Sequence, residues 1–302
     1  MDLDQLLAQQ SGVVTRQQAL DCGVSSRQLR PGPHRLVRLR KDVFADAALL
    51  ADGDVVVRTA LAVAGARLVH AVDLVAVGPT AALLHGIPLL GPAPVRLHLG
   101  ERKPDRPSHH GASTTLPPAQ VVGVAGVPAT SLARTAVDLA RRRGAAAGVV
   151  AADAVLARDV PRAALETVLE GMPRWSGVQH AREATGFADR RAESPLESLG
   201  RWRFAEHGLP PPDLQAWLGD DVEAFARVDH HWKAHRTVAE ADGALKYARP
   251  VDLFEEKRRE DRLRDAGYEV VRYTWDEALL RPEVLAARVR RAFDRAARRR
   301  AA

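Results

Sequence analysis

At 302 residues with 46% hydrophobic side chains, the chain is long enough for two or three domains with cores of their own. A single cysteine, Cys22, excludes an internal disulfide framework and points to a reducing compartment. The formal charge is +6, but lysine supplies few of the 44 basic residues (Lys41, Lys103, Lys233, Lys246 and Lys257). The excess therefore reads first as an arginine-rich composition, and as a nucleic-acid signal only where it concentrates. No run of 18 apolar residues is free of charge, so a spanning helix and a membrane partner are not expected. The opening MDLDQLLAQQ has no basic flank or apolar core, which predicts a cytoplasmic rather than a secreted chain.

Residues 3–10 predict a short helix with Leu3, Leu6 and Leu7 on one face. Thr15 and Gln18 stand at capping-box spacing and start a second helix that ends near Cys22-Gly23. A third is expected from Arg27 through Arg30, which gives helix-turn-helix spacing. Pro31-Gly32-Pro33 breaks it. Residues 34–40 and 42–44 then read as two short strands with a tight turn at Lys41, a wing. Between Arg27 and Lys41 stand six basic residues and no acidic one. Ser25, Ser26, Arg27, Arg30, Arg38, Arg40 and Lys41 are the candidate DNA contacts, with the serines offering hydroxyls and N–H groups to phosphate. The plainer alternative is a solvated basic face that meets another protein.

Residues 51–187 form an α+β middle region with a helical linker. Helices are expected over 58–69 and 79–85, and strands over 95–99 and 121–124. The stretch 100–118 reads as an exposed loop, and its His109-His110 lacks companions at ligand spacing. Ser131 or Thr130 caps a helix to Arg143, on which Arg134 and Asp138 pair at i,i+4. Further helices over 144–157, 161–169 and 177–185 carry no recognisable chemistry.

From Ser194 the pattern changes. Ser194-Pro195-Leu196-Glu197 is a helix start with a serine cap, proline at the first position and glutamate at the third. Strands are expected over 214–217, 222–228 and 237–241, then a helix over 254–266, a strand over 268–273, and helices over 276–280 and 283–298. That order is an α/β layout around a mixed sheet. Asp229 sits on one strand, and Glu240 and Asp242 alternate onto one face of the next. Three carboxylates on one edge repel one another, and a hard divalent cation is the usual remedy. Asp229 and Glu240 are the candidate metal ligands. Arg258, Arg259 and Arg262 share a helix and either meet phosphates or pair with acidic neighbours, and Arg272 is placed to neutralise the carboxylates.

Two resemblances add to this reading. The run Gly12-Val-Val-Thr-Arg-Gln-Gln-Ala-Leu-Asp-Cys-Gly-Val-Ser25, with Arg27-Gln-Leu-Arg30 and Leu36-Val-Arg-Leu-Arg40, resembles the N-terminal winged helix of AbiEi-type antitoxin-like proteins. Pro79 to Gly86 and Val127 to Ala140 resemble the middle region of the same bacterial proteins. Glu193 to Glu197, Asp229, Glu240-Ala-Asp242-Gly243, Lys246-Tyr247, Lys257 to Leu263 and Gly267 to Thr274 resemble the DUF559-type branch of the restriction-endonuclease-like PD-(D/E)xK superfamily. That branch is related to the very-short-patch-repair endonucleases. The resemblance implies three regions: a winged helix-turn-helix over 1–50, the middle region over 51–187, and a restriction-endonuclease-like domain over 190–302 with its mixed sheet flanked by helices.

It also implies a catalytic set of Glu197, Asp229, Glu240, Asp242 and Lys246, with Mg²⁺ or Mn²⁺ as cofactor and double-stranded DNA as partner. Glu197 is equally accounted for as a capping residue. The family's Glu-x-Lys reads Glu240-Ala241-Asp242 here, so the lysine is displaced to Lys246, and His230, His231 and His235 are other candidates for the base. The expected function is a metal-dependent DNA endonuclease targeted by a winged helix. The alternative is a non-catalytic transcriptional regulator of the AbiEi antitoxin type with a degenerate nuclease fold and a toxin-like protein partner.

Overall fold

Reciprocal capping starts the chain. In the computed structural model, which describes residues 2–70, 73–101, 116–219, 224–243 and 250–301, helix α1 (Leu3–Gln9) begins at Asp2 and α2 (Arg16–Asp21) at Thr15. Each cap accepts from the backbone of the residue three on, and the side chains of Gln5 and Gln18 return to the cap N–H. Strands β1 (Val13–Thr15), β2 (Leu36–Arg40) and β3 (Val43–Asp46) pair antiparallel in the order β1-β3-β2. The turn between β2 and β3 places Asp42 at φ +59°. The expected third helix does not form. Residues 25–30 make two turns instead, with Gln28 N donating to Ser25 O and Arg30 N to Arg27 O. Pro31 disfavours a helical Arg30, and so few residues cannot carry the cost of helix nucleation.

The chain continues through α3 (Ala47–Ala51), α4 (Val55–Val69), β4 (Leu74–Ala76), α5 (Gly78–His85), β5 (Leu99–Glu101), β6 (Val121–Val124), β7 (Val127–Thr130) and α6 (Leu132–Arg143). A second sheet has the order β5-β4-β7-β6, with β4 and β7 parallel. Val13 and Val43 share one buried cluster with Leu61 and Val63 of α4, Leu84 of α5 and Val127 of β7. Arg134 lies at 1% exposure, so its helix pairing is internal: Asp138 accepts at 2.8 Å and Gln120 at 2.6 Å. An unpaired guanidinium there would be strongly destabilising. His109 and His110 lie outside the described residues.

Next come α7 (Ala145–Leu156), α8 (Arg162–Glu170), α9 (Val178–Phe187), α10 (Pro195–Glu206), β8 (Asp213–Gly219), β9 (Ala224–Trp232), β10 (Thr237–Ala241), α11 (Pro250–Asp265), β11 (Glu269–Tyr273), α12 (Trp275–Leu280) and α13 (Pro282–Ala301). Residues 1–144 with 160–182 form one compact unit, and 145–159 with 183–302 form another. The architecture is mixed α/β, with a helical middle region and a C-terminal mixed sheet flanked by helices. Among the described residues no helix is long and apolar enough to cross a membrane.

The C-terminal sheet has the order β11-β10-β9-β8. β8, β9 and β10 pair antiparallel and β11 joins β10 in parallel, so the sheet is mixed, as the element order led one to expect. β9 runs on to Trp232, so His230 and His231 are strand residues. Leu218, Ala226, Val228 and Val238 pack with Leu263 of α11 on one face. On the other, the Phe204 ring of α10 meets His230, Trp232 and Tyr273 edge-on at 5.3, 5.1 and 5.7 Å. Arg201 of α10 and Asp153 of α7 form a buried ion pair at 2.9 Å, and Asp189 N also donates to Asp153.

Gly200 is required by this packing. A Cβ there would meet the Tyr273 hydroxyl at 2.2 Å and its ring carbon Cζ at 2.5 Å, both on a rigid buried ring. Gly200→Ala should therefore lower the unfolding free energy by about 1–3 kcal/mol, measured by urea denaturation of the full chain. An unchanged midpoint would show that the ring is not held where described.

Candidate carboxylate site

The site begins at an irregularity in the sheet. The register pairs Leu214 with His230 and Ala216 with Val228, which sets Gln215 opposite Asp229. Gln215 holds φ +53°, and among the described non-glycine residues with positive φ it is the one inside a strand. Such a conformation costs on the order of 1–3 kcal/mol and is often kept where function requires it. Its effect here is visible in the packing. Val228 faces Leu263 of α11, whereas His230, two residues on, faces Phe204 of α10. Regular alternation would put both on one face.

At this point two carboxylates converge on one amide. Glu197, in the first turn of α10 and 6% exposed, accepts from Gln215 Nε2 at 2.7 Å and from Glu193 N at 2.9 Å. Asp229, half-buried, accepts from the same Nε2 at 3.5 Å through Oδ1 and from Ala241 N at 2.8 Å through Oδ2. Ser194 Oγ accepts from Glu197 N at 3.2 Å as a cap should, but the Glu197 carboxylate reaches past the cap to Glu193. Burial, together with the charge of Asp229, raises the Glu197 pKa. Burial, Asp229 and Glu197 in that order hold the Tyr273 phenol well above its usual value, so it stays protonated. Its hydroxyl donates to Leu196 O at 3.3 Å, directly before Glu197.

The other acidic residues are engaged with arginines. Glu240 of β10, 7% exposed, takes Arg259 of α11 at 2.5 Å, and Arg259 also donates to Arg227 O at 2.9 Å. Asp242 lies 3.9 Å from Arg272, whose Nε sits 3.1 Å from Glu260. Arg258, Arg259 and Arg262 line a cleft of about 210 Å³ with Phe225. Lys246 lies outside the described residues. Ser25, Ser26, Arg27 and Arg30 occupy the turn before Pro31, Arg38 and Arg40 lie on β2, and Lys41 follows, all exposed. Without a third helix, no helix N-terminus stands behind the serines, and Ser25 engages Gln28 through both its N–H and its hydroxyl. Arg35, by contrast, pairs with Asp4 and Asp46.

The histidines have structural surroundings. His230 is fully buried, with Nε2 2.8 Å from the Tyr273 hydroxyl. Burial, helped by Arg201, pushes its pKa down to about 3. His231 packs edge-on against Tyr268 and is shifted down by burial. His235 stacks on Phe293 at 3.9 Å. A catalytic base needs contact with its substrate, so these positions suit packing better.

No protein-family profile matches the chain, and no solved structure matches it. The chain is similar to uncharacterized protein MT2308 of Mycobacterium tuberculosis (strain CDC 1551 / Oshkosh) and to uncharacterized protein Rv2248 of Mycobacterium tuberculosis (strain ATCC 25618 / H37Rv). It is 34% identical to each over 179 residues, which covers 59% of this chain and 66% of the relative. The match thus spans just under two thirds of each relative's length.

Magnesium and manganese prefer hard oxygen donors, and the carboxylates of Glu197, Asp229, Glu240 and Asp242 have that chemistry. Glu197 and Asp229 fit best, since they share one neutral N–H donor where a cation would serve both. Glu240 would join them only by giving up Arg259. Among the described residues, no group of three or more His, Cys, Asp or Glu side chains stands ready to hold a metal ion. Sequence reasoning missed Gln215, whose left-handed backbone has no mark in the residue pattern. It also missed Arg227, which strand alternation from Asp229 would have placed nearby.

The buried His230 gives a pH prediction. Its folded pKa lies below the unfolded value of 6.5, so the unfolded chain takes up the proton first. Stability should fall as pH drops below 6.5, with this contribution reaching about 2 kcal/mol by pH 5. Denaturation of the parent and His230→Gln at pH 7 and pH 5 reads this as a larger loss in the parent. Equal losses would mean that His230 does not titrate in this way.

Proposed function

We propose that the chain acts on DNA: its C-terminal unit is a metal-dependent endonuclease of the restriction-endonuclease-like type, brought to duplex DNA by a winged-helix-like segment in its first 50 residues, in which turns stand in place of the third helix. The observation that carries this reading is the meeting of Glu197 and Asp229 at the Gln215 amide, on a strained strand. A buried acid with raised proton affinity, here Glu197, beside a strained backbone is a mark of functional sites. The element order from α10 to β11 and the resemblance in residues 193–274 support it, as do the exposed basic residues between Arg27 and Lys41.

Asp229, with Glu197 and Glu240, would hold the divalent ion, which supplies a bound water of lowered pKa and charge stabilisation at the scissile phosphate. The protein's own groups have separable tasks. Gln215 holds the two carboxylates together, and burial with the charge of Asp229 raises the proton affinity of Glu197. Arg258, Arg259 and Arg262 line the cleft that would take backbone phosphate. Lys246 remains the candidate counterpart of the family lysine.

A second reading has a specific observation behind it. Asp242 stands where the family has lysine, and Arg259 already covers Glu240. In that reading the chain is a regulator of the AbiEi antitoxin type, with a toxin-like protein partner and no cleavage. Both readings place it with DNA in the cytoplasm.

The test uses the full chain with plasmid and linear duplex in Mg²⁺ or Mn²⁺. Asp229→Asn, which preserves an acceptor for Ala241 N, should reduce cleavage by on the order of 10²-fold or more. Duplex affinity should be unchanged and should weaken steeply with salt in both proteins. Equal cleavage by the variant would remove the site assignment. Salt-sensitive binding with no cleavage in the parent would select the regulator.

A further inference from the structure

The carboxylate pair has two neighbours that the reading above does not use. β8 is one of the two edge strands among the described strands of its sheet, and on it Trp217 is 67% exposed. An indole is ordinarily well buried. The sheet register sets Trp217 opposite Arg227, whose guanidinium lies over the ring at 6.0 Å from its centroid. That distance is within reach of a cation–π contact.

Both residues lie close along their strands to the carboxylate site, and Arg227 connects to it through named contacts. Trp217 is two residues from Gln215, and Arg227 is two residues from Asp229. Arg227 also pairs with Glu193, whose backbone N–H donates to Glu197. That pair is open to water, with side-chain exposures of 38% and 55%, so a competing anion can take the guanidinium at little cost. The Arg227 carbonyl is fixed by Arg259, which steadies the strand beneath. An exposed indole, an arginine over it and a carboxylate pair beside the strained Gln215 backbone thus occupy one continuous stretch of two strands and a helix start.

We propose that Trp217 and Arg227 form a nucleotide-binding edge, stacking an unpaired DNA base on the indole and receiving its backbone phosphate on the guanidinium. Bases inside a duplex are already stacked on their neighbours, so an indole platform selects single-stranded or locally unpaired DNA. This rests on the DNA-acting reading and deepens it. The basic N-terminal segment takes the paired duplex, and the edge beside Glu197 and Asp229 takes an unpaired strand.

The experiment measures anisotropy of two labelled DNAs, a short single strand and a fully paired hairpin, with the full chain in EDTA to prevent cleavage. Trp217→Ala should weaken single-strand binding roughly ten- to hundredfold and leave hairpin binding unchanged. Trp217→Phe, which keeps a ring, should retain most of the single-strand affinity. Arg227→Ala should weaken it and flatten its salt dependence. Unchanged single-strand affinity in Trp217→Ala overturns the proposal, as does an equal loss for both DNAs. Unchanged DNA binding with lost self-association in sedimentation overturns it in favour of a protein contact. A parent that binds hairpin while Trp217→Ala changes nothing removes this inference alone. A parent that binds neither DNA removes the DNA-acting reading with it.

Discussion

Glu197 and Asp229 share the side-chain amide of Gln215, and much of this end of the C-terminal sheet follows from keeping a buried acid so close to a half-buried one. Repulsion between like charges grows as the surroundings become less polar. Two responses are visible in the molecule. Glu197 gains proton affinity from burial and from its neighbour's charge, and neutral or positive donors gather around the acids. Gln215 serves both carboxylates, Ala241 N serves Asp229, and Arg259 serves Glu240. A dipole such as an amide offsets charge less than a cation does, so the pair retains an unmet demand for positive charge. The proposed metal chemistry draws on that demand.

The rest of the unit holds this arrangement in place. Gly200 leaves room for Tyr273, whose hydroxyl reaches Leu196 O and so fixes the turn that presents Glu197. Phe204, His230, Trp232 and Tyr273 form the aromatic face behind it. On the opposite face Val228 and Leu263 anchor β9 to α11, which carries Arg259. The parallel pairing of β10 with β11 sets Glu240 beside Arg272, and Arg288 holds the Arg272 carbonyl. Strain at Gln215 is tolerated because packing on both sides of the sheet determines where β8 and β9 run.

Much of the fold was legible because local rules express it. The capping pairs Asp2 with Gln5 and Thr15 with Gln18 mark helix starts within a few residues. Ser194-Pro195 marks α10, and the alternating apolar runs marked the four strands of the C-terminal sheet. The spacing suggests a helix from Arg27 through Arg30, which Pro31 and the short length forbid. The carboxylates were legible as strand residues of unusual charge, and Glu197 as a capping residue. The resemblance grouped Glu197 with Asp229, but the geometry of their meeting has no local mark, because it depends on the left-handed Gln215 and on a change of facing across Asp229. The same holds for the histidines: His230 looks available in sequence, but the aromatic face of α10 closes over it. Arg134 likewise reads only as an i,i+4 partner of Asp138, and its burial in the core has no mark in the spacing.

The most direct measurement is calorimetric titration of Mg²⁺ and Mn²⁺ into the purified full chain and into Asp229→Asn. The account predicts one saturable binding event in the parent that the variant loses. No saturable binding in the parent, or the same isotherm in both proteins, would contradict the claim that Glu197 and Asp229 form a cation site.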